Sequence, residues 1–421
     1  MKIKVRPEDF VVRELVDLSL ADDGEYRVYL MEKAGWNTAD AVESIAWASG
    51  VPASLIRYAG LKDRHALTCQ YVSVPGERDL RSAVPDIRLT PAGFSDDFIS
   101  TRVLTGNTFE IILRSLTSAE SDFIRTRLPE VGRLGFPNYF DDQRFGSVTE
   151  LGESLGERLA KGHLKGALRL YMTAEYPGHG KAEKERRRAI SATWGDWTVV
   201  SSLCRTQVER DMIGALMRGG NKKNLLTALN GIPHAELAMH FAAFQSLVWN
   251  RSLQLFLKHV LTDMRGMPPT SDASCTASSF SVPGKTGSYE FYRNLPDALA
   301  ATLRQTQIPT VARRLLPCPP AVSAAVSAAL GERGLALADL SLRGIRAGYL
   351  RSFYRPAAVM PGDLSAGDLQ PDDLCRGRRK MCLLFSLPRG SYATMLIKAL
   401  TGSATPDRKR RHGPAEEEAL P

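Results

Sequence analysis

The stretch "YAGLKDRHALTCQ", residues 58 to 70, sets Lys62, Asp63, Arg64 and His65 in a row behind Gly60. Ala66, Thr68 and Gln70 then alternate with Leu67 and Cys69, so a strand resumes straight after the charges. Gly60 permits a tight or left-handed turn ahead of them. Two readings stand at this point. The charges face water in a strand-to-strand loop, or they surround one carboxylate held ionised against a substrate. Flanking by Lys62 and Arg64 would lower the pKa of Asp63. An ionised, positioned aspartate serves as nucleophile, general base or metal ligand. Neighbours in an extended chain point opposite ways, so these cations attract at range rather than pair directly.

Outward from that stretch, the first 150 residues read as mixed α and β. "IKVRPEDFVVREL" and "EYRVYLMEK" have strand character, as do "CQYVSVPG" and "NTFEIILRSL". "TADAVESIAWASGV" reads as a helix capped by Thr38, with Ala41, Ile45, Ala46 and Ala48 on its apolar side. Gly50 and Pro52 stop it. Thr117 and Glu120 have capping-box spacing and start a helix through roughly Arg127. Strands and helices interleave without a regular βαβ period, which favours an α+β domain.

From Leu151 the pattern turns helical: Val208, Met212, Ile213 and Leu216 recur at helical spacing, as do Leu237, Phe241, Phe244 and Val248. Residues 261–287 read as loop. "PCPPAVSAAVSAAL" is a proline break and a helix, "KMCLLFSL" a strand, and "RGSYATMLIKAL" a closing helix. Mixed, then helical, then mixed suggests one domain interrupted by another, with the chain ends meeting in one sheet. The tail "GSATPDRKRRHGPAEEEALP", with its basic run Arg408–Arg411, reads as disordered.

The chain of 421 residues carries 55 Lys+Arg against 46 Asp+Glu, a net charge of +9 that attracts polyanions and brings nucleic acid forward as a partner class. The N-terminus lacks the apolar stretch of a secretory signal. No window approaches the roughly 18 apolar residues of a membrane span. Cys69, Cys204, Cys275, Cys318, Cys375 and Cys382 form no C-x-x-C pair, and the histidines form no ligand motif. Reduced thiols and no metal site are expected.

Two further stretches carry chemistry. "GFPNYFDDQRFG", residues 135 to 146, interleaves aromatics with Asn138, Gln143 and Arg144. A ring can stack on a flipped-out base while an amide reads its edge. Phe136 and Phe145 read as core, Asn138 and Phe140 as functional. In "KIKVRPEDFVVRE" a proline and two acids interrupt strand character at Pro7–Asp9, so Phe10 is either aimed out of the sheet by a bulge or packed in the core. "HGKAEKERRR", residues 179 to 188, reads as a grip on an RNA backbone or as the wet face of a helix.

In this order "KVRPEDFVVRE", "GLKDRHALTCQ", "PNYFDDQRFG" and "LPRGSYATMLIKAL" resemble the TruD family of tRNA pseudouridine synthases, from Lys4 to about Leu400. The resemblance implies a pseudouridine-synthase catalytic domain in two parts, 1–150 and 367–402. An insertion domain over 151–366 separates them, and a tail follows over 403–421. It implies isomerisation of a uridine at tRNA position 13, no metal or organic cofactor, and a cytoplasmic, monomeric enzyme whose partner is tRNA or other RNAs. The family's catalytic aspartate falls on Asp63. Substrate-binding positions match Phe10, Asn138 and Tyr392, Phe140 falls where an aromatic stacks on the uracil, and Lys4 where a lysine pairs with the aspartate. Asp141 departs from the family's usual glycine, and Tyr392 from a common phenylalanine. Two other classes remain open: a non-catalytic RNA-binding or folding factor, and a Mg²⁺-dependent nuclease using Asp63, Asp141 and Asp142.

Overall fold

A computed structural model describes residues 1–149, 152–176, 178–265, 277–340, 342, 344–346 and 350–402. The tail with Arg408–Arg411, Cys275 and Leu151 lie outside the described residues. The chain divides into two compact units, one built from Met1–Phe136 and the chain from Val359 onward, the other from Pro137–Ala358.

The first unit is a mixed nine-stranded sheet. Its strands are β1 (Phe10–Val16), β2 (Tyr26–Ala34), β3 (Arg57–Tyr58), β4 (Leu67–Pro75), β5 (Ile87–Ser95), β6 (Leu104–Leu116), β7 (Gly362–Ala366), β8 (Gln370–Pro371) and β9 (Arg379–Pro388). The order is β7-β9-β6-β1-β4-β2-β5, with β8 on β9 and β3 on β4. The β1–β4 pair is parallel, and its other main-path neighbours are antiparallel. As expected, the two ends of the chain share this sheet: Ile111 of β6 pairs with Phe10 on one side and Leu383 on the other. Strand β5 escaped the sequence reading. Pro91 and Gly93 interrupt its alternation, which an edge strand tolerates because one side needs no ladder bonds.

Helix α1 (Thr38–Ser49) lays Ala41, Val42, Ile45 and Ala46 against Met31, Val72, Val74 and Ile87 of the sheet. Each fully buried valine or isoleucine contributes about 1.5–3 kcal/mol. The helix ends at Gly50 in the left-handed region, φ 64°. Its cap is not Thr38: the Asn37 side chain accepts from Asp40 N at 2.8 Å, which leaves the Thr38 hydroxyl for another task. Helix α2 (Ser118–Leu134) has the expected reciprocal cap between Thr117 and Glu120. It runs past Arg127 and through Pro129. Pro129 and Arg125 are both exposed, so the carbonyl that loses its helical partner can turn to water. Helix α3 (Ala393–Thr401) packs on α2.

The second unit is largely helical. Its longest helix, His234–Arg265, buries Leu237, Phe241, Phe244 and Val248 as the periodicity predicts, and Pro320–Gly331 packs along it. The stretch read as loop over 261–287 instead contains the end of that helix and one arm of a hairpin, Ser278–Gly284 with Gly287–Arg293. Serines and Pro283 mask the weak Phe280/Val282 alternation there. Residues 266–276 lie outside the described residues. No described helix is long and apolar enough to cross a membrane.

The basic segment forms most of the Lys181–Ala192 helix; Arg186 and Arg187 turn inward, and Arg188 is exposed. Arg186 is buried between Glu183 and Glu209, at 2.6 and 2.8 Å, and also donates to Leu203 O. Arg187 donates to Glu183, Tyr171 O and Ala174 O, and Arg188 forms two hydrogen bonds with Glu175. Hydrogen bonding to Arg186 and then to Arg187 holds the Glu183 carboxyl at about 2. Arg186 and Arg187 brace helices and are committed within the fold, so reversing their charge would disrupt the unit before reporting on RNA. Arg186→Ala strands Glu209 in a buried site and should cost about 3–5 kcal/mol. Arg188→Ala, on the exposed side, should leave the midpoint unchanged. Thermal unfolding of the two variants checks the contrast.

Candidate active site

The loop between β3 and β4 carries Asp63, and three side chains fix its course. Gln70 Nε2 on β4 donates to Gly60 O at 3.0 Å. The Thr38 hydroxyl donates to Gln70 Oε1 at 2.9 Å and accepts from Lys62 N at 2.8 Å. Arg64 Nε donates to Gly35 O at 3.0 Å. Gly60 itself is not in the left-handed region, and a Cβ there would lie 3.9 Å from Leu104, an ordinary contact. The loop is held by hydrogen bonds to its flanks, not by a glycine turn.

Lys62 and Arg64, beside Asp63, bond elsewhere. Lys62 reaches inward to Glu14 of β1, with Nζ 2.7 Å from Oε1, and the other Glu14 oxygen accepts from Tyr71 N at 3.1 Å. Arg64 is exposed and bonded to the Gly35 carbonyl. Each of these two cations thus has a bonded partner other than the Asp63 carboxylate. As anticipated for neighbours in an extended chain, they diverge from it.

An ion partner comes from 59 residues upstream: Lys4 Nζ lies 2.5 Å from Asp63 Oδ2. The two side chains are 21% and 27% exposed, so the carboxylate is shielded but reachable. Screening is partial at such exposure, and a charge-assisted hydrogen bond of this kind fixes direction as well as charge. Lys4 has φ 54°, a left-handed conformation that costs a non-glycine residue of order 1 kcal/mol. The same ammonium sits 4.1 Å from the centroid of the Phe10 ring. Phe10 follows a 3-10 turn over Pro7–Asp9 and is buried edge-on against Phe109, which stacks on Phe385. Of the two readings of Phe10, core packing describes its place, with one contact to the Lys4 ammonium.

Tyr392 is the N-cap residue of α3, just before its first turn, and is half-buried. Gly390 makes the preceding bend at φ 82°. Arg389 donates from its main chain to Thr105 O and from its side chain to Thr101 O, at 3.0 and 2.7 Å. The bend before Tyr392 is thus tied through Arg389 to the start of β6 and to Thr101 just ahead of it.

Asn138 and Phe140 belong to the second unit. Asn138 Oδ1 accepts from Arg355 Nη2 at 2.7 Å, its carbonyl accepts from Arg355 Nε at 2.8 Å, and its Nδ2 donates to Pro356 O at 3.3 Å. Asn250 brackets Phe140, accepting from its N–H and donating to its carbonyl, both at 2.8 Å. The Phe140 ring meets Trp249 edge-on and has the Arg355 guanidinium 4.2 Å from its centroid. Both residues are buried. Asp142, next to the unusual Asp141, accepts from Tyr289 Oη and Lys285 N, each at 2.7 Å. Burial, then the Asp142 charge, pushes the Tyr289 hydroxyl far up and keeps it a donor.

Sequence reasoning missed Glu14, Lys33 and Arg355. Arg355 lies 217 residues from Asn138, and nothing in "FYRPAAV" marks it. Glu14 had a signal: an acid inside a valine-rich strand. Among the described residues no group of three or more His, Cys, Asp or Glu side chains is placed to hold a metal ion.

The family model described as tRNA pseudouridine synthase D (TruD) matches residues 1–400. The tRNA pseudouridine synthase D of Leptospira interrogans is 30% identical over 419 residues, covering 94% of this chain and 95% of the relative. The protein of the same name from Aquifex aeolicus is 28% identical over 408 residues, covering 95% and 98%. A crystal structure from Methanosarcina mazei bearing the TruD name superposes with a TM-score of 0.70 at 21% identity, covering 96% of this chain and 94% of that one. That likeness concerns the fold.

Proposed function

This chain belongs to the TruD family of tRNA pseudouridine synthases, and from that premise we propose that it isomerises uridine 13 of tRNA, with Asp63 as the essential carboxylate. The observation that carries the proposal is the Lys4–Asp63 pair: an aspartate on a pinned loop, held by one ammonium that also faces an aromatic ring. The reaction breaks the N1–C1′ bond, turns the uracil and joins C5 to C1′. The proton on C5 leaves and N1 ends protonated, so nothing is gained or lost overall. The carboxylate attacks the sugar or the ring, or takes the C5 proton. Each route needs it ionised when the base arrives, and a fixed cation supplies that without reorganisation.

The remaining positions follow the resemblance of the sequence motifs. In the same proposal Phe10, Asn138, Phe140 and Tyr392 bind the substrate. Arg355 supports the last two, setting the Asn138 amide and covering one part of the Phe140 ring. A flat apolar surface suits a base that must turn while detached. In the same proposal residues 151–366 are the insertion particular to the family, the enzyme works as a monomer in the cytoplasm, and its reaction needs no metal.

Transcripts of one tRNA with uridine or cytidine at position 13, incubated with enzyme and EDTA and then mapped for pseudouridine, test this. Modification at position 13 of the first and none in the second is expected. Modification confined to another uridine would overturn the positional claim. Tight, salt-sensitive binding with no pseudouridine anywhere would favour a folding factor instead.

A further inference from the structure

Lys33 is 1% exposed, on strand β2 between β4 and the edge strand β5. Lysine is almost never this buried unless paired with an acid. Its ammonium donates to two main-chain carbonyls, Trp36 O at 2.7 Å and Asp63 O at 3.4 Å, and not to a carboxylate. A methionine or leucine would fill the same volume without desolvating a charge, so the stability of the sheet does not account for it. What the ammonium does is join the β2–α1 connection to the Asp63 loop. Arg64 makes a parallel tie to Gly35 one residue along each segment.

We propose that Lys33 is a positioning residue for Asp63, gripping its main chain from inside the fold while Lys4 grips its side chain from outside. This rests on Asp63 being the essential carboxylate. The two lysines hold one residue at two points, so the carboxylate is aimed as well as charged. A misplacement of about 1 Å at a reacting group can cost roughly 100-fold in rate.

The groups facing Lys33 also make the grip sensitive to pH. Burial pushes its ammonium down to about 8, the Asp63 charge pulls it partly back up, and Lys62 pushes it down again. The neighbouring strands set uncharged Thr68 of β4 and Ile87 of β5 opposite it. As pH rises through about 8 the folded protein loses this proton, whereas the unfolded chain keeps it until near 10.5. The unfolded state then binds more protons, so the contribution of Lys33 to stability rises across that window. Turnover falls in the same window, because the cation under Asp63 is gone. A purely structural lysine would not move the two in opposite directions.

Lys33→Met and Lys33→Arg decide it, in single-turnover pseudouridine formation on a tRNA transcript from pH 6 to 10, with tRNA affinity and thermal unfolding measured alongside. For Lys33→Met the rate should fall roughly 100-fold, with affinity within about twofold and an unfolding midpoint no lower than the parent. In the parent the rate should fall as pH rises through about 8. In Lys33→Arg, whose guanidinium keeps its proton, that limb should move up or vanish at whatever residual rate remains. A Lys33→Met rate equal to the parent's overturns the inference, and so does an alkaline limb unchanged in Lys33→Arg. If Lys33→Met does not fold, the comparison of parent with Lys33→Arg still decides. An active Asp63→Asn protein would instead sink the reading on which the inference rests; an inactive one beside a fully active Lys33→Met sinks only the inference.

Discussion

Asparagine in place of Asp63 is expected to lower the single-turnover rate of pseudouridine formation by about 10⁴-fold or more, with tRNA affinity within a few fold of the parent. The substitution conserves volume, and Lys4 can still donate to an amide oxygen at the Oδ2 position. What disappears is the negative charge and its basicity, both of which each route to C–N cleavage requires. A 10⁴-fold loss corresponds to about 5.4 kcal/mol of transition-state stabilisation. The fold should lose little: the Lys4–Asp63 pair is partly exposed, and such pairs contribute up to about 1 kcal/mol. Binding should survive because affinity for a polyanion comes from cations elsewhere, so the salt dependence of binding should match the parent's. Rapid-quench sampling with enzyme in excess measures the chemical step directly. A rate within tenfold of the parent would remove Asp63 from the chemistry.

The sequence exposed those parts of this fold that depend on short-range pattern. Valine alternation marks β1, the Thr117/Glu120 spacing marks the start of α2, and helical periodicity marks the long helix of the second unit. The proposed site positions came from family-specific blocks, since Lys4 and Asp63 are joined only by the fold. What stayed hidden is long-range. Lys62 sits beside Asp63 in sequence yet pairs with Glu14 on another strand, and Arg355 holds Asn138 from far along the chain. Thr38 was legible as a cap, but Asn37 takes that role and frees the hydroxyl to anchor Lys62 N. The arginines of the 179–188 segment read as surface charge, because two of their three acidic acceptors, Glu209 and Glu175, lie outside the segment. In each case composition gave the kind of interaction and tertiary packing chose the partner.

Arg114→Leu should be the most damaging single change in the first unit outside the site, with a loss of about 3–5 kcal/mol in unfolding free energy. Arg114, buried on β6, binds Asp9 through Nε at 2.9 Å and through Nη2 at 2.8 Å. Its Nη1 meets Asp372 at 3.0 Å and Asp373 at 2.8 Å. Its main chain also pairs with Lys2 in both directions. One guanidinium thus ties the segment that carries Lys4 and Phe10 to both β6 and the returning C-terminal part of the chain. Leucine fills the space but leaves Asp9 and Asp372 buried without their cation. For a unit of this size the loss corresponds to a drop of about 10 °C in the unfolding midpoint. Arg114→Lys should fall between parent and leucine variant, since an ammonium keeps the charge and loses the fork. Acid should reveal the same network. Burial pushes the Asp372 carboxyl up, but hydrogen bonds from Leu374 N, Ser115 N and Arg114 outweigh it and hold it below the ordinary 3.8. Its contribution is therefore complete above 3.8 and lost as pH falls through the lower folded value. The parent should lose stability steeply on that descent and Arg114→Leu more gently, because its Asp372 has less to lose. Because the N-terminal segment would lose its anchor, Lys4 should no longer be held at Asp63, and pseudouridine formation should fall even at temperatures where the variant is folded. An unchanged midpoint, or full activity in a destabilised variant, would separate this network from the site.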